Sequence, residues 1–212
     1  MATPMEKRNA LLAEKLIQNL GKRHMKAFYC PTAEEACQKA LSLIGEGSSV
    51  TWGGSMTIRD IGLTKRLVEG NYNAYDRDAV TDPALKEEGV RKAFFMDWFL
   101  ASPNAISEDG QLVNIDGVGN RVAAITFGPK HVLFIAGLNK VAQDLDAAIK
   151  RARSTAAPIN TARIGCKTPC QVDGVCHDCL SPDCICNYIH ITRNSKDPDR
   201  IKIILVGESL GY

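Results

Sequence analysis

Six of the chain's eight cysteines lie within CKTPCQVDGVCHDCLSPDCIC, residues 166–186. Cys166, Cys170, Cys176, Cys179, Cys184 and Cys186 follow the spacing C-x3-C-x5-C-x2-C-x4-C-x-C. The CxxC pair, Cys176 and Cys179, can set two thiolates on one ion, because a tight turn brings them to the separation a tetrahedral site asks for. Two of the remaining thiolates close such a shell. Pro169, Gly174 and Pro182 interrupt helix and strand along the segment, so it is expected to order itself around a cross-link or a metal. Three chemistries compete for it: a zinc knuckle with no open coordination position, an iron–sulfur cluster on cysteine alone, and disulfides. His177, inside the CxxC, and His190, in the strand-like YIHIT, read as bystanders. Cys37 reads as a small core hydrophobe and Cys30 as a half-buried free thiol.

Two other stretches are equipped to bind. Gly53-Gly54-Ser55 joins a β-prone run (48–52) to a helical stretch. Such a turn lets backbone N–H groups face a phosphate or carboxylate without a Cβ in the way, although a plain strand-to-helix loop needs glycine as well. It is neither GxGxxG nor a Walker loop, which would carry GKS or GKT. The second stretch, SPNAISEDGQLVNIDGVGNR (102–121), gathers Asn104, Glu108, Asp109, Asn114, Asp116, Asn120 and Arg121. Asp109-Gly110 and Asp116-Gly117 are ordinary turn dipeptides, which accounts for part of that polarity. Turn chemistry does not account for Asn120-Arg121 directly ahead of an apolar stretch.

The elements that must position these groups alternate. Leu12, Leu16, Ile17 and Leu20 give residues 6–23 one apolar helical face. Thr32 and Glu35 announce a second helix by a capping box. Asp82-Pro83 opens a third, which continues through Phe94, Phe95 and Trp98 as core aromatics, and a fourth runs from Val141 to about Ala152. Strands are expected at 71–76 and 99–102, and the uninterrupted apolar runs HVLFIAG (131–137) and IKIILVG (201–207) read as strands buried on both faces. The whole is expected to be one domain over 1–212: α/β, three-layer α/β/α, with a mostly parallel sheet. A hydrophobic content of 45% is ordinary for a globular chain, and a net charge of +2 with 6% aromatics gives no footprint for nucleic acid. No run is long enough to span a membrane, and charges interrupt the N-terminus where a signal peptide needs an apolar core, so a cytoplasmic, reducing location is expected. That compartment disfavours the disulfide reading.

GSSVTWGGSMTIRDIGL, NAISEDGQLVN through GNR, FIAGLNKV and RIKIILVGESLGY, in this order, resemble the LUD domain of lactate-utilisation proteins. The resemblance runs from about residue 10 to the C-terminus. It implies a fold related to sugar-phosphate isomerases and CoA transferases. It also implies a small anionic ligand, a lactate-like 2-hydroxy or 2-oxo acid. Gly53, Gly54 and Ser55 would form one wall of that site, with Asn104, Asp109, Gly110, Asn120 and Arg121 opposite and Asn139 and Lys140 beside them. Arg121 and Lys140 would be its carboxylate partners, as side chains cationic at neutral pH. The cysteines resemble the family pattern TPC, GxCxDC, SPxxIC, which picks Cys170, Cys176, Cys179 and Cys186 as a four-thiolate site, with Cys166 and Cys184 as alternates. The family's redox company favours iron–sulfur over zinc there, and other lactate-utilisation subunits and a second copy of the chain are the expected protein partners. The alternative is a transferase or isomerase with a structural zinc knuckle: SEDG (107–110) is similar to the SENG stretch of CoA transferases, and Glu108 would then be the nucleophile.

Overall fold

The structure, a computed structural model, describes residues 2–212. Its first half runs α1 (Pro4–Lys22), β1 (Lys26–Cys30), α2 (Ala33–Ile44), β2 (Ser49–Trp52), α3 (Met56–Asp60), α4 (Leu63–Glu69), β3 (Asn73–Tyr75), α5 (Pro83–Lys92) and β4 (Trp98–Ala101). Then follow β5 (Ala105–Ser107), β6 (Leu112–Asp116), α6 (Asn120–Thr126), β7 (His131–Gly137), β8 (Val141–Ala142), α7 (Leu145–Arg151) and α8 (Ala157–Ile164). The cysteine segment holds α9 (Pro169–Asp173) and leads into β9 (Tyr188–Thr192) and β10 (Ile201–Val206).

Six strands form an all-parallel sheet in the order β1-β10-β7-β4-β2-β3. Its two central apolar runs alternate faces as a pleated strand must. Phe134 and Ala136 of β7, with Ile203 and Leu205 of β10, pack against Leu12, Leu16 and Leu20 of α1. Leu133, Ile135, Ile204 and Val206 pack the other way, against Ala36, Cys37 and Ala40 of α2 and Leu63 and Leu67 of α4. Helices therefore cover both faces, the three-layer α/β/α arrangement that buried parallel strands require.

Between β4 and β7 the chain inserts two of the four strands of a smaller sheet, β8-β5-β6-β9, whose β5–β6 hairpin turns at Glu108-Asp109-Gly110. Hence the polar stretch 102–121 is not one loop: Ala105, Val113 and Ile115 pack on Ala148 and Ala152 as a third core. The helix expected to end near Ala152 instead continues to Ile164 through a π-helical turn at Ala152–Ala156. Pro158 has no N–H to donate to the preceding turn, and a wider turn just ahead of it absorbs the lost bond. Trp98 is buried as expected, whereas Phe95 is 91% exposed and Phe94 only half-buried, because the short α5 ends in a 3-10 turn that swings both rings outward. Thr32 caps α2 through the Glu35 amide at 3.2 Å, but the fully reciprocal box occurs at Thr3 and Glu6 on α1. No helix among the described residues is long and apolar enough to cross a membrane.

Candidate functional site

β2 and β4 are neighbours in the sheet, yet β3, which lies between them in sequence, sits on the far side of β2. Strand order reverses at this point, and loops leaving the carboxyl ends of the two strands diverge to leave a crevice. A cavity of about 340 Å³ lies there, walled by Gly54–Thr57 after β2, Ser102–Asn104 after β4, Ile115–Val118 and Asn120-Arg121 around the start of α6, and Lys140 after β7. Arg77, Asn160, Arg163 and Tyr212 complete it. Four cationic side chains, Arg77, Arg121, Lys140 and Arg163, face it against the single carboxylate of Asp116.

Arg121 is held firmly. Its guanidinium donates to Asn104 Oδ1 at 3.1 Å, to the Ser102 carbonyl at 3.4 Å and to the Ile115 carbonyl, while Asp116 stands 4.0 Å from Nε. Asp116 also accepts from the backbone amides of Arg121 (2.9 Å) and Val122 (3.0 Å), so it caps the first turn of α6 and fixes the residue that carries the guanidinium. Burial pulls Arg121 below its ordinary pKa, opposed by Asp116. Gly53 lies directly behind it: a Cβ there would stand 3.1 Å from Arg121 Cδ.

Lys140 is buried, and its Nζ sits 3.0 Å from Thr57 Oγ1 and 2.9 Å from Ser102 Oγ. Burial, reinforced by Arg151 and Arg121, lowers its pKa from 10.5 to about 7. Burial thus works against the standing charge expected of a carboxylate partner, because two hydroxyls cannot repay the desolvation of an ammonium.

Six residues named from sequence, Gly54, Ser55, Asn104, Asn120, Arg121 and Lys140, line the cavity. Four do not. Gly53 supports Arg121 from behind. Asn139 clamps the C-terminal segment, its Oδ1 accepting from the Leu210 amide at 3.2 Å. Asp109 and Gly110 sit at the hairpin tip against α1, with Asp109 Oδ2 2.5 Å from the Arg23 guanidinium. Glu108 goes with them: its carboxylate pairs with Lys15 at 2.6 Å and its carbonyl accepts from Asn19 at 2.8 Å, so it faces α1 and not the cavity. Thr57, Arg77, Ser102, Asn160, Arg163 and Tyr212 were not named from sequence; only Ser102, next to the strand end at SPN, carried a local signal.

A second cavity, of about 220 Å³, is lined by Cys170, Cys176, Cys179, Cys184 and Cys186. Cys166 is outside its lining. All eight cysteines are free thiols. Thr161 and Thr168 hydroxyls lie 3.4 and 3.3 Å from Cys170 Sγ, and the Cys186 amide donates to Cys184 Sγ at 3.4 Å. Burial, and then Cys184, Cys176 and Cys170, push the Cys186 thiol up to about 12. Arg153, paired with Asp178, lines the same space. His177 pairs with Asp173 (2.8 Å) while also lining this cavity, and His190 turns to Thr126 (2.9 Å). Among the described residues no three His, Cys, Asp or Glu side chains stand close enough about one point to hold a single ion. Ala157 and Ile185 line both cavities, so the residue between Cys184 and Cys186 is also part of the cationic site's wall.

Comparison with known proteins agrees with this architecture. The LUD domain profile matches residues 13–206. The crystal structure of a DUF162 family protein from Deinococcus radiodurans is similar over 93% of this chain and 98% of its own, at 11% identity and a TM-score of 0.55. A weaker likeness, to eIF2B delta from Chaetomium thermophilum, covers 68% of this chain and 57% of that one at 15% identity and a TM-score of 0.34. A search of curated proteins finds no match. With a profile match over nearly its whole length, the chain belongs to the LUD domain, or lactate-utilisation, family.

Proposed function

We propose that the protein binds a small organic acid, a 2-hydroxy or 2-oxo acid of lactate size, in the cationic cavity, and that the neighbouring thiols hold an iron–sulfur cluster that couples this site to a redox partner. The observation that carries the reading is the shared wall: Ile185 and Ala157 bound both cavities.

The cationic cavity has the composition a short carboxylate selects. Arg77, Arg121 and Arg163 supply charge, and Ser55, Asn104 and Asn120 supply neutral hydrogen-bonding groups for a hydroxyl or carbonyl beside the carboxylate. The volume suits a few heavy atoms with solvent and not a nucleotide.

The reading of the thiol cavity as a cluster site is supported by its five cysteines, one more than the four thiolates a single tetrahedral zinc takes. A bound cluster supplies one-electron transfer beside the acid site. Thr161, Thr168 and the Cys186 amide are placed to hydrogen-bond sulfur, and Arg153 offsets thiolate charge, the kind of outer contacts that set a potential. Cys170, Cys176, Cys179 and Cys186 remain the proposed ligands, with Cys184, which lines the cavity, and Cys166, which does not, as alternates. Other lactate-utilisation subunits are the proposed electron partners. The transferase alternative gains nothing, since Glu108 is spent on α1.

Purification without oxygen, followed by iron, zinc and acid-labile sulfide determination with a visible spectrum, tests the cluster. Iron and sulfide in matching amounts, with absorbance that bleaches on reduction, are expected; zinc without sulfide would replace the cluster by a structural clasp and remove the redox role. Calorimetric titration with lactate and pyruvate tests the acid site, and absence of heat from both would end that half of the reading.

A further inference from the structure

Anion binding leaves Lys140 unexplained. A lysine meant to attract carboxylates is better placed beside water or an acid, yet Lys140 is 3% exposed and its Nζ meets two neutral hydroxyls, Thr57 Oγ1 at 3.0 Å and Ser102 Oγ at 2.9 Å. Both hydroxyls are themselves buried. The C-terminal segment closes over the amine: a Cβ built on Gly211 would lie 3.3 Å from Nζ and 2.5 Å from Thr57 Oγ1, a fit only glycine permits. With two N–H groups turned to the hydroxyls, a neutral amine keeps one lone pair unused, on a residue that lines the cavity. Buried lysines among cationic neighbours are nucleophiles for carbonyl carbon, because desolvation and like charge withdraw the proton that blocks the lone pair. Burial with Arg151 and Arg121 supplies that effect here.

We propose that Lys140 is a nucleophilic amine that condenses with the carbonyl of a short 2-oxo acid to form an imine, with the acid's carboxylate held by the arginines of the same cavity. This rests on the organic-acid reading of the cavity. The Nζ lone pair attacks C2 and the carbonyl oxygen is protonated, giving a carbinolamine. The C–O bond then breaks, that oxygen leaves as water with the two amine hydrogens, and a C=N bond forms. Thr57 and Ser102 hold the amine and relay its protons. No electrons change hands, so no oxidant is required. A 2-hydroxy acid has no carbonyl at C2 and binds without reacting, which makes lactate a matched control for pyruvate.

The test treats the intact protein with pyruvate and cyanoborohydride, which reduces an imine to a stable secondary amine, and maps labelled lysines by mass spectrometry. Lys140 is expected to be labelled at least about tenfold more than any exposed lysine at neutral pH, because the exposed amines remain protonated. Lactate should suppress that labelling in the wild-type protein, which keeps the test decisive even where Lys140→Met fails to fold. Where Lys140→Met does fold, it should lose the adduct while the labelling of exposed lysines stays the same. Calorimetric binding of pyruvate with no Lys140 adduct would overturn the imine and leave the acid site standing. Labelling spread evenly over surface lysines and insensitive to lactate would also overturn it. No binding of either acid would remove the acid site and this inference together.

Discussion

Gly53 stands directly behind Arg121, on the side away from the cationic cavity: a methyl group on Gly53 would stand 3.1 Å from Arg121 Cδ and 3.8 Å from Phe99 Cζ. Gly53→Ala is therefore expected to push the arginine stem a few tenths of an ångström and to cost roughly 1 kcal/mol of stability, with a several-fold loss of acid affinity. Chemical denaturation and calorimetry with lactate read the two effects separately. Unchanged affinity would mean that Arg121 is not the group the acid meets.

Arg121→Lys should fare worse than charge conservation implies. The guanidinium satisfies Asn104, the Ser102 carbonyl and the Ile115 carbonyl at once, and an ammonium cannot reach all three. A loss of about 1–3 kcal/mol in thermal stability is expected, as for a buried polar network left short of donors. A substitution with no thermal effect would show those contacts to be dispensable.

Lys140 sets a pH dependence of folding whose direction follows from its lowered pKa. The unfolded chain holds this proton up to pH 10.5, whereas the folded chain releases it near 7. Between those values the unfolded state binds more protons, so stability attributable to Lys140 rises with pH, and below about 7 the full penalty applies. The span corresponds to at most on the order of 5 kcal/mol. Lys140→Met should abolish that part of the slope, raising stability near pH 6 relative to wild type more than near pH 9. Parallel pH profiles for the two proteins would contradict the burial of a titrating amine.

Cys186→Ser and Cys166→Ser should behave differently. Cys186 lies inside the thiol cavity and Cys166 outside its lining. Anaerobically purified Cys186→Ser is expected to lose most of its iron and sulfide, whereas Cys166→Ser keeps both. Equal loss would place Cys166 among the ligands.

Glu108→Gln removes a partner of Lys15 whose own side chain is 57% exposed. Such pairs contribute about 0–1 kcal/mol, and acid binding should not change. A large loss of binding or turnover would restore Glu108 to the chemistry.

The layers of the fold were legible because HVLFIAG and IKIILVG are too apolar to serve anywhere but a covered parallel sheet. Arg121 was legible for a related reason: turn chemistry explained its neighbours and left it over. Asp109 misled because an acid beside a glycine looks the same in a binding loop and in a hairpin tip, and only the docking of that tip on α1 decides. Arg77 and Arg163 gave no local signal, since one is a further cation in the turn after β3 and the other a further cation on α8, and each meets the cavity only through the packing of distant segments. The same holds for Ile185. Between two cysteines it reads as filler, and its place in two walls depends on how residues 166–187 lie across the β6–α6 turn, where Asn187 bonds the Gly117 carbonyl at 3.0 Å.

The position of β10 between β1 and β7 has a consequence for folding. The sixth strand of the large sheet in sequence is the one that joins the first to the middle, so β1 and β7 each present an open edge until it pairs. Closing that gap brings residues 26–30 and 202–206 into register, a long loop to shut before any reward. Until β10 is in place, β1 has no neighbour in the sheet and β7 keeps one edge open, both templates for pairing with another copy.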